Sequence, residues 1–262
     1  MIPARPDIEP RRRRTPTWVL ASGWVLVVAL ACVALFPRWM PAAESSASAG
    51  SAVGFGFTRV LTDGSPVRWN PCRPIHYVVN ADSGPPEAMA LVREAATRVR
   101  RATGIEFIDD GSTHETPTQR FTTGLVRPRG GGRGSRWAPV LVSWVSSEEF
   151  GRLSGNPDAH GSAWAIPAPN DPSVYVTGVV AINADLMRDD EYPPTFETRR
   201  SVGLVLQHEF GHIVGLAHAS SIHELMYPNP DDPEVVDWGP GDLAGLERLG
   251  TAVGCLRTPS PR

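Results

Sequence analysis

"HEFGHIVGLAH", residues 208–218, places three histidines and one glutamate within a single short stretch. The longer run "TFETRRSVGLVLQHEFGHIVG" (195–215) predicts a helix with Thr195 as its N-cap. At about 100° per residue, His208 and His212 share one face of that helix, one turn apart. Val202, Leu206, Phe210 and Ile213 fall roughly 120–160° away and form the stripe that packs inward. The histidines are therefore aimed away from the helix's own packing face. Two imidazoles so placed can reach one zinc ion (Zn2+) at about 2.0–2.1 Å. Glu209, beside one ligand, can lean over the metal without binding it. That is the position of a general base acting on metal-activated water. Being neither ligand nor stripe residue, Glu209 is expected outside the core.

His218 cannot serve the same ion from a straight helix, because it would lie about 15 Å along the axis from His208. The chain has to turn back after His212. Gly215 takes the positive φ of such a turn at little steric cost. Three protein ligands with one position left open describe a catalytic zinc, whereas a structural zinc is closed by four.

H-E-x-x-H-x-x-G-x-x-H is the signature of the metzincin zinc proteases, and residues 208–218 match it at every fixed position. "ELMYP" (224–228) resembles the Met-turn of that class, which implies that Met226 sits beneath the zinc. Within the class, "HEFGHIVGLAH" and "LMYP" are most similar to the matrixin group. The resemblance spans roughly residues 70–255, but only 208–228 is specific. It implies an α+β fold: a mixed twisted sheet of about five strands, a long helix, an active-site helix and a small C-terminal subdomain. It also implies zinc as cofactor and proteins or peptides as substrates. The sequence departs from the matrixins in several places. Ala219 follows the third histidine where they carry Ser. Pro228-Asn229-Pro230 replaces the Pro-x-Tyr that lines their specificity wall. Tyr227 follows Met226 directly, which does not match the zinc-facing tyrosine of the astacin-like branch. No cysteine-switch pro-segment and no His/Asp cluster for a second zinc stand out. Substrate preference is therefore not transferred.

Upstream, the 262-residue chain reads as a targeting region followed by one domain. A basic tail (1–17) with four consecutive arginines at 11–14 precedes "WVLASGWVLVVALACVALF" (18–36), a run without a charge. That run matches the roughly 20 residues that cross a bilayer and exceeds the roughly 7–15 of a signal-peptide core. Arginines on its N-terminal side predict a cytoplasmic N-terminus and an exported remainder. Ala47-Ser48-Ala49 resembles a signal-peptidase site, so a cleaved signal and a secreted domain stand as the alternative to a single-pass anchor. Residues 41–54 are small and polar and suit a flexible stalk, expected over 37–54. The metzincin-like protease domain is then expected over 55–257.

Cys32 lies within the apolar run, leaving Cys72 and Cys255 for the exported part. Two thiols in an oxidising compartment are most simply a disulfide. The competing role, Cys72 as an inhibitory thiolate on the zinc, needs a pro-segment, and Cys72 directly precedes the first strand. Strands are expected at 75–80, 105–111, 139–146, 161–167 and 174–183. An amphipathic helix is expected over 85–104, and the resemblance implies a final helix over 241–249. All 25 basic residues are Arg, and the net charge of −3 leaves the domain mildly acidic, with no nucleic-acid footprint. The Gly- and Arg-rich stretch 116–137 reads as a solvated loop. His76, His114, His160 and His223 read as structural or exposed. Three functions remain in view: a membrane-anchored endopeptidase, a zinc-binding surface module without turnover, and a metalloenzyme acting on another bond. An intact Glu209 argues against the second.

Overall fold

The computed structural model describes residues 54–117, 125–126, 136–155, 157–168, 171–187, 192–229 and 234–259. The basic tail, the apolar run and all but the last residue of the stalk lie outside the described residues, as does most of the stretch 116–137. Among the described residues, no helix is long and apolar enough to cross a membrane.

Alternation of apolar side chains sets the first long strand. Strand β1 is the short Gly56–Phe57, and β2 follows at Ile75–Asn80. Ile75, Tyr77 and Val79 of β2 point into the core. Helix α1, Ala88–Thr103, turns Leu91, Val92, Ala95 and Val99 onto the same core, and Gly104 ends it. Strand β3 is Phe107–Ser112, and the pair β4 (Leu125–Val126) and β5 (Arg136–Trp137) forms a small separate ribbon. Strand β6 (Val140–Val145) runs through the sheet's centre, where every residue is buried. A long hairpin of β7 (Ala159–Ala168) and β8 (Asp171–Asn183) completes the sheet.

The sheet order is β3-β2-β6-β8-β7. Among the described residues all neighbours in this sheet are parallel except β7 on β8, so its one antiparallel strand occupies an edge. This is the mixed five-stranded sheet expected of the fold. Helix α2, Val202–Val214, packs its stripe of Val202, Leu206, Phe210 and Ile213 into the main core beside α1. Phe210 meets Tyr77 of β2 and Phe107 of β3. Strand β9 (Leu216–Ala217) and helix α3 (Pro240–Glu247) follow as the smaller C-terminal part.

The start of α2 corrects the sequence expectation. The N-cap is Ser201, whose side chain accepts from the Leu204 amide at 3.4 Å, and Thr195 stands six residues outside. Residues 192–201 fold back along the first turn. There the Pro193 and Thr195 carbonyls accept from the amides of Val202 and Gly203, both at 3.1 Å. These are donors that a helix start otherwise leaves without partners. Local propensity could not show this, because the acceptors are brought in by the Pro193-Pro194 bend.

A disulfide joins Cys72 to Cys255, with Cα atoms 5.4 Å apart. Around it, the Asn70 side-chain carbonyl accepts from the Cys72 and Leu256 amides, and Arg68 donates to the Gly254 carbonyl. The end of the domain is thereby strapped to the segment before its first long strand.

Candidate active site

Helix α2 carries the first two histidines on the face opposite its packing stripe, and the chain then reverses. Gly215, at φ 120°, closes the helix by donating to the Gly211 and His212 carbonyls. A β-carbon there would be strained by that φ and pressed to 3.3 Å from Leu249, Tyr175 and the Val67 carbonyl. The turn is held from outside as well. Trp69 Nε1–H donates to the Ile213 carbonyl at 2.7 Å, and the Thr58 amide to the Gly215 carbonyl at 2.9 Å. Strand β1 then pairs antiparallel with β9, Gly56 opposite Ala217, one residue before His218. So the third histidine returns to the first two. Their ligand atoms all lie within 4.8 Å of one another.

Hydrogen bonding decides which nitrogens face inward. His208 Nδ1 lies 2.8 Å from the Leu225 carbonyl and His212 Nδ1 2.8 Å from the Leu216 carbonyl. A carbonyl only accepts, so both Nδ1 atoms carry the proton and both Nε2 atoms present a lone pair. Burial pushes His208 well below the ordinary histidine range, with His212 adding to it. Burial likewise takes His212 down to about 4 and lowers His218. The result is three uncharged imidazoles at neutral pH, two of them oriented by backbone carbonyls. This donor set fits a zinc ion.

Glu209 departs from its expected place, because it is buried at 7% exposure. Its carboxylate faces the backbone N–H of Gly161 on the edge strand β7, which favours the charged form. Burial outweighs that contact and pushes Glu209 up to about 8, with Asp158 nearby also raising it. Sequence periodicity could not place β7 over this side chain. Glu209 Oε2 is buried and has no hydrogen-bond partner among the described residues. An unpaired buried carboxylate oxygen is costly unless something completes it.

Met226 is buried, and its sulfur packs on α2 at Gly211, where a β-carbon would come within 2.5 Å of it. Two carboxylates fasten the turn around Met226. Asp242 accepts from the Leu225 amide at 2.6 Å, from Met226 at 3.4 Å and from Gly239 at 3.1 Å. Glu224 accepts in return from the Gly241 and Asp242 amides, at 3.0 and 2.8 Å, at the start of α3. Sequence reading missed both residues. The one available signal was a glutamate beside "LMYP" and an aspartate in the first turn of a helix.

Of the other histidines, His160 comes near enough to the cluster to lower His212 further, and the remaining three are not part of it. His76 pairs with Asp110 and His114 with Asp82 in solvent-facing positions. His160 is partly buried against the Phe150 ring, and His223 is exposed.

A five-stranded mixed sheet with an antiparallel edge, and a helix pair of histidines completed by a third beyond a glycine turn, define a metzincin-like catalytic domain. Residues 135–249 match the matrixin family model. The chain therefore carries a matrixin-like metalloprotease domain, the match running from β5 to the end of α3. Comparison with curated proteins returns no match.

Proposed function

We propose that the chain is a membrane-anchored extracellular zinc endopeptidase with Glu209 as its general base. The observation that carries this reading is the buried, unpartnered Oε2 of Glu209, adjacent in sequence to the first of three converging histidines. His208, His212 and His218 would hold the zinc. When bound, the metal supplies a Lewis acid that polarises a peptide carbonyl and activates water.

The chain's own groups account for the rest. Among the described residues strand β7 terminates the sheet, so its outer side would offer backbone groups to an extended peptide. Such a peptide would lie alongside Gly161, the residue that faces Glu209. Glu209 takes a proton from the attacking water as the oxygen–carbon bond forms. It then delivers that proton to the amide nitrogen as the carbon–nitrogen bond breaks. Burial favours the protonated state of Glu209, and a dication in the triad favours the carboxylate. Both states are needed in one cycle. The anchor rests on the uncharged run 18–36 and on the arginines that precede it.

Glu209→Gln in the full-length chain tests the reading against a zinc-binding module without turnover. Cleavage of a peptide library should be abolished by chelator. It should fall by at least the roughly 10²–10⁴-fold of general base catalysis in Glu209→Gln, with zinc retained. Cleavage undiminished in the variant would reject Glu209 as base. A zinc-loaded wild type inert on every peptide would favour the binding module.

A further inference from the structure

Arg199 is a buried cation that the catalytic reading leaves unused, at 7% exposure, two residues before the N-cap of α2. Its Nη2 donates to the Leu225 carbonyl at 3.0 Å and to the Tyr227 carbonyl at 3.2 Å. These two carbonyls flank Met226. The first of them is also the acceptor for His208 Nδ1–H. A carbonyl oxygen has two lone pairs, and here one serves the histidine and the other the guanidinium. Arg199 thus connects the segment leading into the ligand helix with the turn packed beneath it. Asp242 holds the same turn by its amides, so the turn is gripped on its donor side and on its acceptor side.

We infer that Arg199 is a positioning residue for the metal centre: by fixing the Leu225 and Tyr227 carbonyls it sets the acceptor that orients His208 toward the ion. A buried cation is costly to keep without well-placed partners. Two backbone carbonyls around one methionine supply them, and only a donor with two N–H groups on one nitrogen, or several, spans both. The effect on the metal runs through His208 alone. His212 takes its orientation from Leu216, which lies outside the turn. Loss of Arg199 should therefore weaken zinc binding without removing a ligand, the usual consequence of disturbing the groups behind metal-bound histidines.

This inference rests on the zinc reading of the triad, and the experiment separates the two. The zinc dissociation constant of the full-length protein is measured by competition with a chromophoric chelator, beside thermal unfolding of the zinc-free form. The variants are R199M, which removes both donors, and R199K, which keeps the charge and shorter-reaching donors. L153A, in a small separate cluster, serves as a control for lost stability alone. R199M should bind zinc at least tenfold more weakly, R199K should recover at least threefold of that loss, and L153A should melt earlier with unchanged affinity. R199M within threefold of wild type would overturn the inference, as would R199K no better than R199M. A parallel loss of affinity in L153A would overturn it too, since the effect would then be generic. Should R199M not fold, R199K decides alone: threefold or greater weakening supports the role, and wild-type affinity rejects it. A wild type that takes up no zinc would overturn the zinc reading itself.

Discussion

Four ionisable side chains at the centre have displaced affinities for protons, and they displace in opposite directions. In the unfolded chain the histidines titrate near 6.5 and Glu209 near 4.5. Folding lowers His208, His212 and His218, so between about 4 and 6.5 the unfolded chain binds more protons than the folded one at these positions. Their contribution to stability is present above 6.5 and is lost as pH falls. Folding raises Glu209 to about 8, so its contribution is present below 4.5 and is lost as pH rises through 8. Below 6.5 three histidines outweigh one carboxyl, and above 6.5 the carboxyl dominates, with the exposed His114, raised by Asp82, adding a smaller loss in the same direction. The zinc-free protein should therefore be most stable near pH 6.5, weakening towards pH 4 and again towards pH 8. Urea unfolding of chelator-treated protein across that range measures it. In Glu209→Gln the alkaline limb, roughly 1.4 kcal/mol per pH unit for one proton, should largely disappear while the acid limb stays. An alkaline limb that survives the substitution would assign it to another group.

Among the elements, the turn at Met226 and the start of α3 depend on each other. Glu224 satisfies the Gly241 and Asp242 amides, while Asp242 satisfies those of Leu225 and Met226. Both carboxylates are buried, and burial pushes Asp242 up to about 6. Glu224→Ala leaves two buried amides without acceptors. It should destabilise the fold by at least the roughly 1–3 kcal/mol of one such orphan, with Glu224→Gln intermediate. Chemical denaturation at pH 7 reads this directly. An unchanged Glu224→Ala would mean that water replaces the carboxylate at the helix start. This exchange also marks the limit of sequence reading. The histidine spacing, the glycine turn and the alternation of β2 are local patterns, and each has a direct physical meaning along the chain. The N-cap at Ser201, the two-residue β1–β9 pairing and the Glu224–Asp242 exchange depend on partners distant in sequence. The burial of Glu209 belongs with them, since β7 covers it from 48 residues away, Gly161 to Glu209. Polar residues in those positions look like solvent-facing ones until the fold supplies their partners.

At the scale of the whole molecule, the disulfide and the direction of insertion make one connected claim. Cys72 and Cys255, 183 residues apart, are bonded beside a strap in which Arg68 holds the Val253 and Gly254 carbonyls. The same segment carries Trp69, which holds the end of α2 through the Ile213 carbonyl. A bridge of this kind persists in an oxidising compartment and is reduced in the cytosol. The domain should therefore lie outside the membrane that residues 18–36 are proposed to span. On intact cells, added protease should digest the domain and spare a tag on the cytoplasmic N-terminus. Cys72 and Cys255 should resist alkylation until a reductant is added. The double variant C72S/C255S should lose roughly 2–4 kcal/mol of unfolding free energy. Its zinc affinity should change by only a few-fold, because the carbonyls that align His208 and His212 belong to Leu225 and Leu216, outside the strap. Free thiols in the native protein would reject the bridge, and a domain protected from external protease would reject the orientation. A large loss of zinc affinity in the double variant would show that the strap, acting through Trp69 and the Gly215 turn, helps to place His218.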